Sequence, residues 1–224
     1  MNEDIIPITY MSGTGGNFLC HFILSAKKNN KNNITFSKYG NAHHGLKDGQ
    51  PPGTIIDSDV DKIKHILDVC RNKINFYKNK VDKPFYVISH IRDIKLLSTY
   101  FSRFIRITYE LDDVDELAKV FLAKAIIDVV KSEVKIKTHM VPQIKNLLKE
   151  QAEYFTFNDG YDSSLFVSWK NIYKDDPSIL IDKLHKFTEI SKENFSVDLL
   201  NQWRTPTKFG IDSINNVLKE FSEL

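Results

Sequence analysis

The most constraining stretch of the chain is its first, IIPITYMSGTGGNFLCHFIL, from Ile5 to Leu24. Its β-branched apolar start reads as a strand buried on both faces. Gly13, Gly15 and Gly16 then allow a tight turn, and the apolar residues after them recur at helical spacing. A strand, a glycine loop and a helix in that order leave the first helical N–H groups unpaired and partly positive, an arrangement that favours an anion. The pattern therefore predicts an anion at residues 12–17, held by loop amides with Ser12, Thr14 and Asn17 as side-chain donors. A plainer reading competes with it: a strand-to-helix turn that uses glycine for backbone freedom alone. The full GxxxxGK motif ending in Ser or Thr is absent, and Met11 stands where a loop lysine is looked for, so an ordinary ATPase or kinase loop is disfavoured.

The rest of the chain repeats the alternation. Further strands are expected at 84–90 (PFYVISH), 103–110 (RFIRITYE) and 164–169 (SLFVSW). Helices are expected over 16–28, from Asp59 or Asp61 through Ile74, in RDIKLLSTYFS, and after Asp112 or Asp113. Another starts near Pro142 with Ile144, Leu147, Leu148 and Ala152 inward. Asp176 caps the next, with Pro177 in its first turn and Leu180, Ile181, Leu184 and Phe187 on its apolar face. The C-terminal region reads as helix, irregular link, helix. No repeat or linker divides the chain, so the expectation is one domain over 1–224: a three-layer α/β fold with a mainly parallel sheet and a helical C-terminal region. Ligands of such sheets lie beyond the carboxyl ends of the strands, where the glycine loop, His90 and the residues after Tyr109 fall.

Composition narrows the classes. Hydrophobic residues at 42% and charged residues at 27% suit a folded globular chain rather than a disordered one. A formal net charge of +2 gives no argument for a nucleic-acid or membrane-surface partner, and no apolar run is long enough for a bilayer span. The acidic start, MNEDIIPITY, predicts no signal peptide. Cys20 and Cys70 both sit in helical patterns without metal-like or redox-like partners, so a reduced cytoplasm is the expected setting.

Other candidate residues carry two readings each. His90 ends a strand beside the expected cleft, as a base near neutral pH or as a histidine bonded to backbone. His43 and His44 occupy a polar loop, either contacting substrate or lying on the surface. Glu110, Asp112, Asp113 and Asp115 follow a strand; they suit Mg²⁺ beside a phosphate or, as the favoured reading, the acidic first turn of a capped helix. The basic residues between Lys62 and Lys83 read as a solvated helix face.

YMSGTGGNFL resembles the sulfotransferase loop YPKSGTTWL, with Ser12, Gly13 and Thr14 matching its SGT. YVISH resembles the family's strand ending in a KTH-like sequence, and SLFVSWKNIYKDDPSILIDKLHKFTEI resembles its later strand, Asp-Pro and helix. The resemblance is distant but follows the family's order over most of the chain. It implies a P-loop-type fold and a loop that binds the 5′-phosphosulfate end of PAPS (3′-phosphoadenosine 5′-phosphosulfate). It also implies His90 as general base, a small-molecule or carbohydrate hydroxyl as acceptor, and no metal. The chain departs from the family at Met11 (the loop lysine), Ile88 (the lysine two places before the base) and Gly16 (the adenine-stacking tryptophan). The family's 3′-phosphate arginine falls either on Arg92, without the serine at the family's offset, or on Glu110, Asp112 and Asp113 of RFIRITYELDD, the placement preferred for the fold because it leaves His90 on the KTH-like strand. Arg92, Lys124, Arg204 and Lys208 are candidate replacements for the missing positive charge, with WRTPTKFG lying where the family has a basic phosphate-binding segment.

The function expected from this resemblance is transfer of a sulfonate from PAPS to an acceptor hydroxyl. Two alternatives stand beside it: a binding or interaction module on the same fold that carries out no transfer, and a phosphoryl-transfer enzyme using Mg²⁺ on the acidic group. Basic side chains converging on the loop favour transfer, and apolar walls favour the binding module.

Overall fold

Five parallel strands carry the fold in the computed structural model, which describes residues 5–11, 13–27, 54–55, 64, 84–120, 140–156 and 160–204. Strand β1 (Ile5–Thr9) leads through the glycine loop into helix α1 (Gly16–Lys27). Strands β2 (Thr54–Ile55) and β3 (Phe85–Ser89) follow, then α2 (Ile94–Tyr100) and β4 (Ile105–Thr108). After β4 come a 3-10 turn (Leu111–Asp113), helical backbone over 114–120 (α3) and α4 (Met140–Phe155). The last group is β5 (Leu165–Ser168), α5 (Trp169–Tyr173), α6 (Pro177–Thr188) and α7 (Val197–Arg204).

The strand order is β2-β3-β1-β4-β5, and every pairing is parallel. Parallel neighbours need crossover connections, which is why strands alternate with helices along the sequence. β1 lies at the centre, with β3 and β4 on either side, so the chain passes over β1 between them. The order of the sheet thus reverses about β1, and its carboxyl end is where a crevice for a ligand forms in sheets of this kind.

Alternation along each strand divides the core between two faces. Ile6, Ile8, Tyr86, Ile88, Ile105, Ile107 and Val167 join Phe18, Leu19, Phe22 and Ile23 of α1 in one buried cluster. Ile5, Val87 and Phe104 join Ile91, Leu97 and Phe101 in the other. Helix α7 packs against α1 through Trp203, whose ring stacks on Phe18 at 4.2 Å between centroids and 15° between planes. At this geometry an aromatic pair adds about 0.5–1.5 kcal/mol beyond the area that it buries.

The expected caps and boundaries hold within a few residues, with some corrections. Asp176 caps α6 by accepting from the Ser178 N–H at 2.8 Å, with Pro177 in the first turn. The strand at Thr54–Ile55 was not expected, because two strand residues set among Gly, Pro and Asp leave no period to read. The short α5 directly after β5 was also unexpected. Leu147, expected inward on α4, is 37% exposed, while Ile144, Leu148 and Ala152 are buried as expected. Of the helix expected through Ile74, only Lys64 lies within the described residues, and it is helical. Among the described residues no helix is long and apolar enough to cross a membrane.

Candidate functional site

The loop after β1 turns through the left-handed region twice, at Gly13 (φ 87°) and Gly15 (φ 94°). Side chains are strained there, which accounts for glycine at both positions. Thr14, expected as a ligand donor, is fully buried and works inside the loop: its hydroxyl donates to the Met11 carbonyl at 2.6 Å and its N–H to the same oxygen at 3.0 Å. The Gly15 carbonyl accepts from Leu19 N–H at 2.9 Å and so opens α1. Among the described residues, the N–H groups of Gly15 and Gly16 donate to nothing. Two unpaired amides at the start of a twelve-residue helix, at the carboxyl end of the central strand, are the electropositive feature of this loop.

Tyr10 organises the mouth. A Cβ on Gly16 would lie 2.0 Å from the Tyr10 ring, so this ring fills the space that a side chain at 16 would take. The Tyr10 hydroxyl donates to Asn17 Oδ1 at 2.7 Å, fixing the amide at the loop's edge. On its other side the ring meets His90, with centroids 4.9 Å apart and planes tilted by 52°. Burial lowers the His90 imidazole below its ordinary range; a hydrogen bond with the Tyr10 backbone opposes this, and the nearby Arg92 charge adds to the lowering. His90 is therefore neutral at pH 7, the form that can accept a proton.

The far wall is aromatic. The Tyr173 hydroxyl donates to the Gly13 carbonyl at 2.6 Å, and Ile172, Tyr173 and Trp203 stand 3.1–3.4 Å from where a Gly15 Cβ would be. Met11 and Ile88, at the two positions where the resembled family has lysines, are both buried in the core, where a lysine head would be cut off from water.

Of the expected basic replacements, Arg92 and Arg204 lie within the described residues. Arg204 is buried, and its guanidinium donates to the carbonyls of Ile172 (2.8 Å), Asp175 (2.7 Å) and Asn171 (2.7 Å). It thus closes the C-terminal end of α5, which corrects the expectation of a phosphate ligand at Arg204. Arg92 is exposed at the turn beyond β3. Ser12, His43, His44, Lys124 and Lys208 lie outside the described residues.

The acidic group follows its helix-capping reading. Asp113 accepts from the Glu110 N–H at 3.0 Å and pairs with Lys170 at 2.6 Å; burial alone would raise its carboxyl, but these partners hold it below the usual carboxylate range. Asp115 pairs with Lys145 at 2.8 Å, and Lys174 pairs with Glu116. Among the described residues no group of three or more His, Cys, Asp or Glu side chains is placed to hold a metal.

Beneath the turn that carries His90 lies a polar row that the sequence reading missed. Ser89, Thr9 and Arg106 are in register across β3, β1 and β4, and all three are fully buried. The Thr9 hydroxyl donates to the Ile91 carbonyl at 2.7 Å, Ser89 Oγ accepts from Ile91 N–H at 3.2 Å, and Arg106 donates to the Arg92 carbonyl at 2.6 Å. The row holds the segment after β3 against the sheet. Its signal in the sequence was one arginine between isoleucines in FIRIT, a charge where a central parallel strand is buried on both faces. Tyr10, Tyr173 and Trp203 were missed for another reason, since aromatic residues at strand ends and in helices read as core.

The chain matches no protein-family model, no curated protein and no solved structure.

Proposed function

We propose that this chain is a sulfotransferase-like domain whose loop takes the phosphate–sulfonate end of a PAPS-type nucleotide. The observation that carries the proposal is the pair of unpaired amides at Gly15 and Gly16, set at the carboxyl end of β1 where the sheet order reverses. In this reading the fold is of P-loop type, without the lysine. His90, neutral and held against Tyr10, takes the proton from an acceptor hydroxyl. The acceptor oxygen forms a bond to sulfur as the bond from sulfur to the bridging oxygen breaks, and adenosine 3′,5′-bisphosphate leaves. The loop amides stabilise the charge that develops on the oxygens.

A second reading, binding without transfer, is favoured by the walls: Tyr10, Ile172, Tyr173 and Trp203 surround the loop, Arg204 is committed to carbonyls, and Lys170 is paired with Asp113. Removing one donor to developing charge typically costs about 100- to 1000-fold in rate. A site with no lysine at 11 or 88 therefore binds more readily than it turns over. Titration with adenosine 3′,5′-bisphosphate tests the nucleotide. Consumption of PAPS with a panel of hydroxyl acceptors then separates the two readings, because only the first releases the bisphosphate.

A further inference from the structure

A cleft of about 700 Å³ opens at the end of the sheet opposite the glycine loop. Its walls are residues 160–164 before β5, residues 101–104 before β4, and Ser98 of α2. Because every strand is parallel, the amino ends of β4 and β5 lie away from the carboxyl end of β1, so the cleft is separate from the loop and from His90. Its volume falls within the range of small-molecule sites, about 300–1,000 Å³. The walls are fixed by the protein's own bonds. The Ser164 N–H donates to the Tyr161 carbonyl at 2.9 Å and closes the turn, and the Ser163 hydroxyl donates to the Ser102 carbonyl at 2.7 Å. The half-buried Tyr161 ring leans on the buried Phe104, with centroids 5.7 Å apart and planes at 60°. Arg103 lies 4.5 Å over the Phe187 ring and donates from Nη2 to the Phe187 carbonyl, which leaves Nε and Nη1 as donors. Asp162 is exposed and pairs with no cation among the described residues. Ser102 and Ser164 line the cleft, and their hydroxyls, shielded from water, have no hydrogen-bond partner. Such hydroxyls cost stability, and each can turn toward the cleft about its single χ1 bond.

We infer that this cleft is a second binding site, for a neutral saccharide. One carboxylate and one guanidinium line it, so an anion meets Asp162 and a cation meets Arg103, and the occupant that suits both is neutral overall. Asp162 only accepts, Arg103 only donates, and the serine hydroxyls do both. Adjacent sugar hydroxyls, each donor and acceptor at once, satisfy all three kinds of partner. The C–H face of a sugar ring supplies the apolar surface that the Tyr161 ring calls for. A zwitterion answers the same two charges, but it leaves the serines and the aromatic wall without a role. The inference stands whether or not the loop binds a nucleotide.

The test uses the full chain, with maltose, cellobiose and lactose as probes and amide NMR shifts as the readout. At least one of the three is expected to give saturable shifts at residues 98–104 and 160–164, with a dissociation constant on the order of millimolar. Tyr161→Ala removes the stacking face and Asp162→Ala the acceptor, and each is expected to weaken that sugar at least about tenfold. Asp162 is exposed, so Asp162→Ala is expected to keep the wild-type Tm, which separates a lost contact from a lost fold. Asn17→Asp, at the other end of the sheet, is expected to bind the sugar as the wild type does. Tyr161→Ala is expected to leave the response to adenosine 3′,5′-bisphosphate unchanged, so the two sites fail separately. No saturable shift with any of the three sugars, shifts confined to other residues, or wild-type affinity in both cleft variants would overturn the inference. Tighter binding of L-serine at the same residues would also overturn it, and would make the cleft a site for a zwitterion.

Discussion

The Tyr173 hydroxyl donates to the Gly13 carbonyl at 2.6 Å across 160 residues of sequence, tying the helix after the last strand to the loop after the first. Tyr173 is buried, and burial raises its phenol well above the ordinary range, so the hydroxyl remains a donor through the neutral and alkaline range. Tyr173→Phe keeps the ring against Trp203 and removes this one bond. It is expected to cost about 1 kcal/mol in urea unfolding and to loosen the loop, seen as faster amide exchange at Gly15 and Gly16. Unchanged stability and exchange would mean that aromatic packing alone holds the loop.

Gly16 tests how closely the Tyr10 ring seals the loop. A methyl group at 16 would meet ring atoms at 2.0–2.4 Å, so Gly16→Ala must displace Tyr10 and is expected to cost about 1–3 kcal/mol. Because the conflict is with one side chain, Gly16→Ala with Tyr10→Leu should recover part of that loss, a non-additivity that a double-mutant cycle measures. Strict additivity would show that the two positions do not meet.

His90 gives a dependence on pH. Its folded pKa lies below the unfolded value of about 6.5, so between the two the unfolded chain binds more protons and stability rises with pH. The contribution is complete above about pH 6.5 and is lost as pH falls through the folded pKa. Urea unfolding from pH 5 to 8 should show this slope, and His90→Gln should flatten it. A His90 titration by NMR at or above the ordinary value would contradict the sign.

Arg204 closes α5 with three bonds to carbonyls, and hydrogen bonds to charged groups are the stronger kind. Arg204→Met is expected to lower stability by about 3 kcal/mol, measured in urea, while leaving the affinity for adenosine 3′,5′-bisphosphate in the folded protein unchanged. Loss of affinity at full stability would return Arg204 to the ligand.

What the sequence made legible was local and periodic. The strand–glycine–helix unit at 5–27, the Asp176–Pro177 helix start and the parallel alternation all follow from apolar spacing and from residues with fixed backbone preferences. The strand at Thr54–Ile55 is too short to carry a period, and only its partner β3 defines it. The positions of the glycine loop and of His90 were legible, because both are read from their place at strand ends. The roles of Thr14 and Arg204 were not, since each has several possible acceptors and tertiary packing chooses among them. Arg106 shows the same limit from the other side: an arginine in a strand announces something unusual, but only the register with Thr9 and the bond to Arg92 say where its charge goes.

The most direct test of the central claim is calorimetric titration of adenosine 3′,5′-bisphosphate into the wild type and Asn17→Asp. Asp at 17 keeps an acceptor for the Tyr10 hydroxyl and suits the first turn of a helix, so the variant is expected to fold, while its charge at the loop opposes an anion. The account predicts a wild-type dissociation constant on the order of micromolar, weakened at least about tenfold in Asn17→Asp. No binding by folded wild type, or equal binding by both, would contradict it.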